Sequence, residues 1–256
     1  MKIIVLIKQV PDTEEERKLD TSTGLLDREA GDRIADEITE RALEVALRHK
    51  DGNKGSEVVV LTMGPLPAKE ALRKALSMGA DSAVHVVDER LEGADMALTA
   101  AVLAAAAKRT GFDLIIAGNE STDGRGGVVP AMVAEHLGLP LLPSLNSVEI
   151  TEVSVRGEAA LDIGSLTVSA ELPALMSVTE WAAEARFPNF KGIISAKRKH
   201  VETLSLADID LDSAATTTTP VLTTSQRPAR TAGKKIVDDG TAAQELAEFL
   251  ADRNLL

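Results

Sequence analysis

The sequence lacks cysteine and tyrosine, and it has only one Trp, four Phe and four His among 256 residues. Without Cys, a disulfide scaffold, an iron–sulfur site, a zinc ribbon and a cysteine nucleophile are all excluded. The four His lie too far apart in the chain for a local metal motif. The shortage of aromatic rings leaves few platforms on which a flavin or a nucleic-acid base could stack.

Basic residues are also in deficit, with 28 Lys and Arg against 40 Asp and Glu and a formal net charge of -12. Phosphate contact needs a basic face, so this balance disfavours a nucleic-acid partner. The composition, 44% hydrophobic and 27% charged, predicts a packed core. The length suits one large α/β domain, alone or with a tail.

Long apolar runs are missing as well. Residues 1–8 contain too short an apolar core for a signal peptide. The most apolar stretch, 96–107, falls well short of the roughly 20 residues that span a bilayer. A cytoplasmic protein without direct membrane insertion is therefore expected.

Short β-branched runs alternate with stretches of helical spacing in the first half of the chain. Strands buried on both faces are predicted at 3–7, 58–62, 83–87 and 114–117. Helices are predicted at 36–49, 68–78, 94–109 and 128–137. This alternation predicts an α/β fold with a doubly wound, mostly parallel sheet, whose ligands bind beyond the carboxyl ends of the strands.

The pattern changes after residue 145. Antiparallel additions to the sheet are expected at 147–150, 153–156, 165–171 and 174–179. Residues 186–200 are expected to form a proline-interrupted loop, and the Thr-rich stretch 214–230 to form a linker. Residues 241–256 predict an amphipathic helix, whose apolar stripe needs a cover from a partner or from the chain's own domain. The pattern alone leaves both covers open.

A buried strand, a polar glycine-rich loop and a helix follow one another between residues 114 and 137. Gly126 and Gly127 would let backbone N–H groups approach a ligand, and the helix start adds unpaired N–H groups and a positive dipole end. These features suit a nucleotide phosphate, whereas Glu120 and Asp123 suit ribose hydroxyls or backbone turns. The loop is neither a GxGxxG motif nor a P-loop. An ordinary turn with Asx capping is the alternative.

Two other strand ends carry candidates. Lys8, after the first strand, could face a phosphate or could be a solvated lysine. Met63, before the Gly64-Pro65 turn, could contact an adenine, although a lone Met is more often a core residue.

Five segments in order resemble the beta subunit of electron transfer flavoproteins, the FixA-like group included. They are IKQVPD, LTMGP, ALRKALSMGAD (71–81), AGNESTDG (117–124) and RFPNFKGIISAKRK (186–199). The resemblance implies an adenine-nucleotide-binding, Rossmann-like domain over 1–205. It implies, more weakly, a linker and C-terminal helical arm over 206–256 that packs on the partner subunit.

This family resemblance implies a heterodimer with an alpha subunit, which holds most of the redox-active FAD. Electrons from acyl-CoA and other dehydrogenases would pass through that flavin to a membrane quinone reductase. The beta subunit would bind AMP as a structural ligand and would be an electron carrier rather than an enzyme. Some FixA-like members bind a second FAD in the AMP position and bifurcate electrons.

The resemblance also implies a nucleotide pocket built from strand ends, one helix start and the glycine-rich loop. Its residues are Leu6, Lys8, Asp36, Ile38, Thr39, Met63, Gly118, Asn119, Glu120, Ser121, Thr122, Asp123, Gly124, Gly126, Gly127, Val128 and Val129. Many beta subunits continue this loop with Asn-Gln-Thr-Gly, where this chain has Gly127-Val128-Val129-Pro130. Phosphate would then be held by backbone rather than side-chain groups.

Residues 186–199 resemble the family's recognition loop, with Phe187 as the apolar anchor that inserts into a partner dehydrogenase. The contact residues that the resemblance implies are Phe187, Pro188, Phe190, Lys191 and Ile193. An exposed aromatic anchor near a basic run suits a transient contact. The residues alone also allow the alternative in which both Phe belong to the core.

Two other functions stay open on the same architecture. An ATP-hydrolysing or adenylating enzyme would use residues 124–127 for phosphate and Asp123 for a metal. A nucleotide-sensing module resembling universal stress proteins would form a stable homodimer. No acid–base or nucleophile constellation is recognisable, because Ser121 has no nearby His in the sequence.

Overall fold

The computed structural model describes residues 1–211 and 217–255. Its contacts divide the chain into two units, Met1–Leu222 and Thr223–Leu256, and each unit is described by itself. Part of the expected linker, residues 214–216, and the last residue of the expected final helix, Leu256, lie outside the described residues.

The first unit contains a nine-stranded sheet and a separate two-stranded sheet. The strands are β1 (Lys2–Leu6), β2 (Gln9–Pro11), β3 (Arg33–Ala35), β4 (Glu57–Met63), β5 (Ser82–Val86), β6 (Leu114–Gly118), β7 (Leu141–Ile150), β8 (Ser154–Leu161), β9 (Gly164–Glu171), β10 (Ala174–Val178) and β11 (Val201–Leu204). β2 and β3 pair with each other in antiparallel register, whereas the other nine strands form the large sheet.

The large sheet has the strand order β11-β5-β4-β1-β6-β10-β7-β8-β9. Its pairs from β11 to β7 are parallel, and β8 and β9 extend it as an antiparallel meander. The chain winds outward from β1 through β4 to β5, and then returns to β6 on the other side of β1. β1 and β6 therefore flank the topological switch point, outside which ligands of doubly wound sheets bind.

Helices cover both faces of the parallel part of the sheet. They are α1 (Glu37–Gly52), α2 (Lys69–Met78), α3 (Met96–Thr110), α4 (Val129–Leu137) and α5 (Phe190–Ala196), with α6 (Ala242–Asp252) in the second unit. In β1, Ile3 and Val5 join the core under α1 and α2, and Ile4 joins the core under α3 and α4. The central strands are apolar on both sides because both faces of the sheet are buried.

Aspartate caps begin the two helices that matter most for the candidate site. The Asp36 carboxylate accepts hydrogen bonds from the N–H groups of Ile38 (3.0 Å) and Thr39 (3.3 Å) at the start of α1. Asp95 accepts one from the N–H of Leu98 (2.8 Å) at the start of α3. Each carboxylate keeps a second oxygen for contacts with other segments.

The doubly wound, mostly parallel sheet with antiparallel additions is confirmed, but one strand direction was predicted wrongly. Residues 174–179 were expected as an antiparallel addition, whereas β10 lies inside the sheet and is parallel to β6 and β7. All five residues of β10 are buried. A continuous apolar run of this kind is typical of a central parallel strand, which is covered on both faces.

Several shorter elements also differ from expectation. Residues 186–200 are not a loop throughout, because α5 begins after Asn189, whose side chain accepts a hydrogen bond from the N–H of Gly192 (2.8 Å). The strands β2, β3 and β11 were not predicted. With three or four residues each, they are too short to show a periodic pattern.

The second unit contains α6, which carries the expected apolar stripe. Leu246 and Phe249 are about half exposed, and no residue of Ala242–Asp252 is buried in the described structure. Lys234 forms an ion pair with Glu245 on the first turn of this helix. None of the helices in the described ranges combines the length and the apolar character that a bilayer crossing requires.

Candidate functional site

Two chain segments meet beyond the carboxyl ends of β1 and β6. The ammonium group of Lys8 donates a hydrogen bond to Ser121 Oγ (3.0 Å) and pairs with Asp123 Oδ1 (2.6 Å). Arg28 lies 3.4 Å from the other oxygen of Asp123. Burial raises the pKa of the Asp123 carboxyl, but the charges and hydrogen bonds around it, first those of Lys8, lower the pKa overall. Lys8 thus pairs with a carboxylate of the loop at the switch point.

Thr122 is the best-anchored residue of this loop. Its N–H and its hydroxyl both donate to Asp36 Oδ2, each at 2.7 Å. The guanidinium group of Arg17 donates to the carbonyl of Thr122, to its hydroxyl (3.0 Å) and to the carbonyl of Pro11 (3.1 Å). All the polar groups of Thr122 are therefore used. The loop is tied to the start of α1 and to the segment that follows β2.

The end of β6 packs directly on the start of α1. A Cβ atom on Gly118 would lie 3.0 Å from Ile38 Cγ2 and 3.4 Å from the carbonyl carbon of Ile38. Thr39 donates from its hydroxyl to the carbonyl of Asp36 (2.8 Å). The polar side chains of Asp36, Thr39 and Thr122 are thus engaged within the protein, and a direct role for them in ligand binding stays a prediction.

The second half of the loop leaves hydrogen-bonding groups unused. Gly127 has a φ of +66°, a conformation that favours glycine. Within the described residues, the N–H groups of residues 126–129 donate no hydrogen bond. They belong to the first turn of α4 and to the residues before it, where the helix dipole adds positive charge. This backbone can take an anion.

A buried acceptor lies in the same loop. Asn119 Oδ1 has no hydrogen-bond partner in the described structure. An unpaired buried acceptor costs free energy, which a ligand or a water molecule would recover. Glu120, the next residue, pairs with Arg125 (3.2 Å). The loop therefore offers both donors and an acceptor to a small polar ligand.

Apolar side chains line the same edge of the sheet. Leu6 and Met63 end β1 and β4 on the face that α3 covers. At the start of α3, Met96 lies so close to Gly126 that a Cβ there would be 2.7 Å from its sulfur atom. Glycine at position 126 allows this approach. Leu6 and Met63 thus lie at the carboxyl edge of the sheet, and contact between them and a ligand stays a prediction.

A second candidate surface is the docking segment, residues 186–199. Phe187 is 93% exposed and Phe190 is 79% exposed, so the alternative in which both are core residues is wrong. Ile193 and Ile194 on α5 are about half exposed. The sequence-predicted contact residues lie together on one short segment, and their role in binding stays a prediction.

Both ends of the docking segment are held by long-range contacts. Arg186 binds the buried Glu44 carboxylate with two side-chain hydrogen bonds (2.7 and 3.1 Å) and also pairs with Asp51 (2.8 Å). At the other end, the ammonium group of Lys199 donates to the carbonyls of Leu76 (2.9 Å) and Ala80 (2.6 Å). The apolar residues between the two ends are thus displayed on a fixed frame.

Sequence reasoning did not select Arg17, Arg28 or Glu44, although each holds part of a candidate site. Arg17 and Arg28 lie in a polar segment without periodicity, about 100 residues before the loop that they contact. Glu44 lies on the buried, mostly apolar face of α1. A charged residue at such a position is the sequence signal that could have indicated a buried ion pair. No group of three or more His, Asp or Glu suited to a metal ion occurs among the described residues.

The fold defines a class, that of α/β proteins with a doubly wound, Rossmann-like sheet. Within this class, residues 23–209 match the family model of the electron transfer flavoprotein domain. The chain is 48% identical to the electron transfer flavoprotein subunit beta of Mycobacterium leprae, with 99% of each chain covered. The same subunit of Mycobacterium tuberculosis gives the same identity and coverage.

A further relative is the caffeyl-CoA reductase-Etf complex subunit CarD of Acetobacterium woodii. It is 34% identical to the chain, with 99% of this chain and 97% of the relative covered. The chain belongs to the electron transfer flavoprotein family, as a beta subunit. Membership implies a role in flavin-dependent electron transfer, pairing with an alpha subunit and dehydrogenase partners.

Proposed function

We propose that this beta subunit binds AMP as a structural ligand at the switch point between β1 and β6, while the alpha subunit holds most of the FAD. The observation that carries the proposal is the row of unused N–H groups at residues 126–129, beside the loop that Lys8 and Asp36 hold in place. Main-chain donors at a helix start suit a phosphate group. Held in this way, the nucleotide needs no aromatic platform.

The residues present fit an adenylate. The N–H groups of residues 126–129 would bind the phosphate, and Asn119 Oδ1 would accept a hydrogen bond from a ribose hydroxyl or from the adenine amine. Leu6 and Met63 would contact the base. AMP contributes no redox chemistry, so these groups bind and orient the ligand and catalyse no reaction.

A second candidate function is a FixA-like subunit with FAD in the same site. The identity of 34% to a subunit of a caffeyl-CoA reductase-Etf complex favours it. The identity is higher, 48%, to proteins named as electron transfer flavoprotein subunit beta, and that name specifies no ligand. Both ligands share the adenylate half, so the loop suits either of them.

The test is mass spectrometry of the small molecules released from the co-expressed alpha and beta subunits. AMP and FAD in equal amounts would support the structural-nucleotide proposal. Two FAD and no AMP would support the second candidate. One FAD without any nucleotide in the beta site would contradict both.

We also propose that acyl-CoA and other dehydrogenases bind the docking segment, and that the flavin passes electrons on to a membrane quinone reductase. The exposed Phe187 and Phe190 support this, since a transient interface needs an apolar anchor that is accessible before binding. Arg186 and Lys199 hold the frame that presents them. The subunit then acts as an electron carrier without catalytic residues of its own, and a cytoplasmic location remains the sequence-based prediction.

The domain organisation completes the proposal. Residues 1–205 would form the nucleotide-binding domain, and 206–256 the linker and arm that pack on the alpha subunit. The exposed stripe of α6 supports this, because an apolar helix face gains free energy when a partner covers it. Removal of residues 223–256 should weaken the heterodimer, as measured by sedimentation or light scattering. An equally tight complex after this truncation would refute the role of the arm.

A further inference from the structure

The carboxylate of Asp95 performs two separate tasks. Its Oδ1 atom accepts the N–H of Leu98 and caps α3. Its Oδ2 atom accepts four hydrogen bonds from two consecutive threonines, namely the N–H groups of Thr218 (2.8 Å) and Thr219 (3.0 Å) and their hydroxyls (3.0 and 2.9 Å). Because the helix needs only one oxygen, the second is free to bind a distant segment.

The two threonines lie 123 and 124 residues after Asp95 in the sequence. The contact therefore holds residues near the end of the first unit against the start of α3. Hydrogen bonds, first that of Leu98 and then those of the two threonines, hold the pKa of Asp95 well below its ordinary value. The acceptor is a carboxylate at neutral pH, and hydrogen bonds to a charged acceptor are stronger than neutral ones.

The position of this contact relates the arm to the candidate nucleotide site. Met96, the residue after Asp95, packs beside Gly126 of the loop. The chain that continues from Thr219 into the arm therefore starts next to the loop. We propose that Asp95 is the anchor of the C-terminal arm, and that it fixes the point from which the arm leaves to bind the alpha subunit. This inference rests on the proposed role of the arm in heterodimer formation.

The anchor is expected to act by ordering the chain before association. With Thr219 held, 22 residues separate the anchor from α6. Loss of the contact would lengthen the tether, and this alone would lower the effective concentration of α6 only slightly, because that concentration falls slowly with tether length. Loss of the ordered Thr218-Thr219 pair adds backbone entropy to the cost of association. The combined effect is expected to be about tenfold in the dissociation constant.

The test measures the dissociation constant of the full-length beta subunit with the alpha subunit. Asp95→Asn keeps an oxygen for the cap of α3 but replaces Oδ2 by an amide NH2 group. That group cannot accept the four hydrogen bonds that Thr218 and Thr219 donate to Oδ2. The double variant Thr218→Val, Thr219→Val removes the two hydroxyls and leaves Asp95 in place. Thr223→Val is the matched control, the same change in an exposed threonine outside the contact.

Asp95→Asn should bind the alpha subunit about tenfold more weakly. The double variant, which keeps the two N–H bonds, should bind several-fold more weakly, and the control should bind within twofold of the wild type. Hydrogen exchange at the amides of Thr218 and Thr219 should become faster in Asp95→Asn. In a chain without residues 223–256, Asp95→Asn should have no further effect on the dissociation constant, because the anchor then holds nothing.

Three results would overturn the inference. One is binding of both test variants within twofold of the wild type. The second is an equal loss of affinity from Asp95→Asn in the chain without residues 223–256, which would mean that Asp95 acts through the local fold rather than through the arm. The third is unchanged binding after the truncation itself, and this result alone would refute the proposed function of the arm at the same time.

Discussion

Removal of the charge on Glu44 should destabilise the protein and loosen the docking segment. The Glu44 side chain is only 6% exposed and binds Arg186 and Arg48. Glu44→Gln keeps the size of the side chain but replaces one acceptor oxygen by an amide that faces the guanidinium of Arg186. The cation of Arg186 then loses its buried partner, and Asp51 alone remains to compensate it.

The free energy of unfolding lost in Glu44→Gln depends on how far the ion pair is buried. Breaking a fully buried ion pair by removing one partner costs about 3–5 kcal/mol. Here the side chain of Arg186 is 32% exposed and keeps its contact with Asp51, so solvent reduces the loss to about 2 kcal/mol. For a chain of this size, the melting temperature should fall by about 4 °C or more. Asp51→Asn is the matched control, since Asp51 is 62% exposed and its loss should cost less than about 1 kcal/mol.

The assay is thermal unfolding of the co-purified heterodimer, followed by circular dichroism at several pH values. Burial raises the pKa of Glu44, but the hydrogen bonds and charges of Arg186 and Arg48 outweigh it and lower the pKa below its ordinary value of 4.5. A group whose pKa is lower in the folded state stabilises the protein above its unfolded pKa and loses this effect as the pH falls. The difference between wild type and Glu44→Gln should therefore narrow below about pH 4.5.

Two results would refute this reasoning about Glu44. A melting temperature within 1 °C of the wild type at neutral pH would show that Arg186 needs no buried partner. A difference in melting temperature between wild type and Glu44→Gln that stays constant from pH 7 to pH 3 would show that the charge of Glu44 is not the cause.

Three further changes test the candidate sites. Phe187→Ala should slow reduction of the flavin by a partner dehydrogenase about tenfold. The stability of the protein should not change, because Phe187 is almost fully exposed. Val153→Ala, which also truncates an exposed apolar side chain, is the control, and unchanged stopped-flow kinetics in Phe187→Ala would contradict its role as an anchor. Gly126→Val should lower the nucleotide content of the purified heterodimer, because the side chain would block access of a ligand to the backbone and would clash with Met96. Gly55→Val is the control, since a side chain there meets open space and should leave the nucleotide content unchanged. A normal nucleotide content in both variants would be evidence against the loop as the binding site. Arg17→Met should accelerate nucleotide release by freeing the carbonyl and hydroxyl of Thr122, and an unchanged release rate in an exchange assay would show that Asp36 holds the loop alone.

The parts of the fold that the sequence predicted are those encoded by local pattern. The apolar runs at β1, β4, β5 and β6 are continuous because both faces of the sheet are covered, and their length separates them from the helices. The same rule would have placed β10 inside the sheet. The alternation of β8, in which one face is buried and one exposed, does not extend to β10, whose five residues are all buried.

The candidate site was predictable only as a location. The glycines and the helix start after β6 indicate a ligand loop, and the strand order places that loop at the switch point. No local pattern shows that Asp36 would bind Thr122, 86 residues away, or that Lys8 would pair with Asp123. These are tertiary contacts between segments without periodicity, so neither spacing nor residue type encodes them.

One helix connects the two candidate sites. Asp36 at the cap of α1 holds the glycine-rich loop through Thr122, and Glu44, roughly 12 Å further along the helix axis, holds the docking segment through Arg186. Both carboxylates are buried, so each contact is screened little by solvent. Because an α-helix is rigid over two turns, the loop and the docking segment keep a fixed separation before any ligand or partner binds. Ordering them in the free subunit removes conformational entropy from the binding steps, which suits a carrier that must meet its donors quickly and release them again.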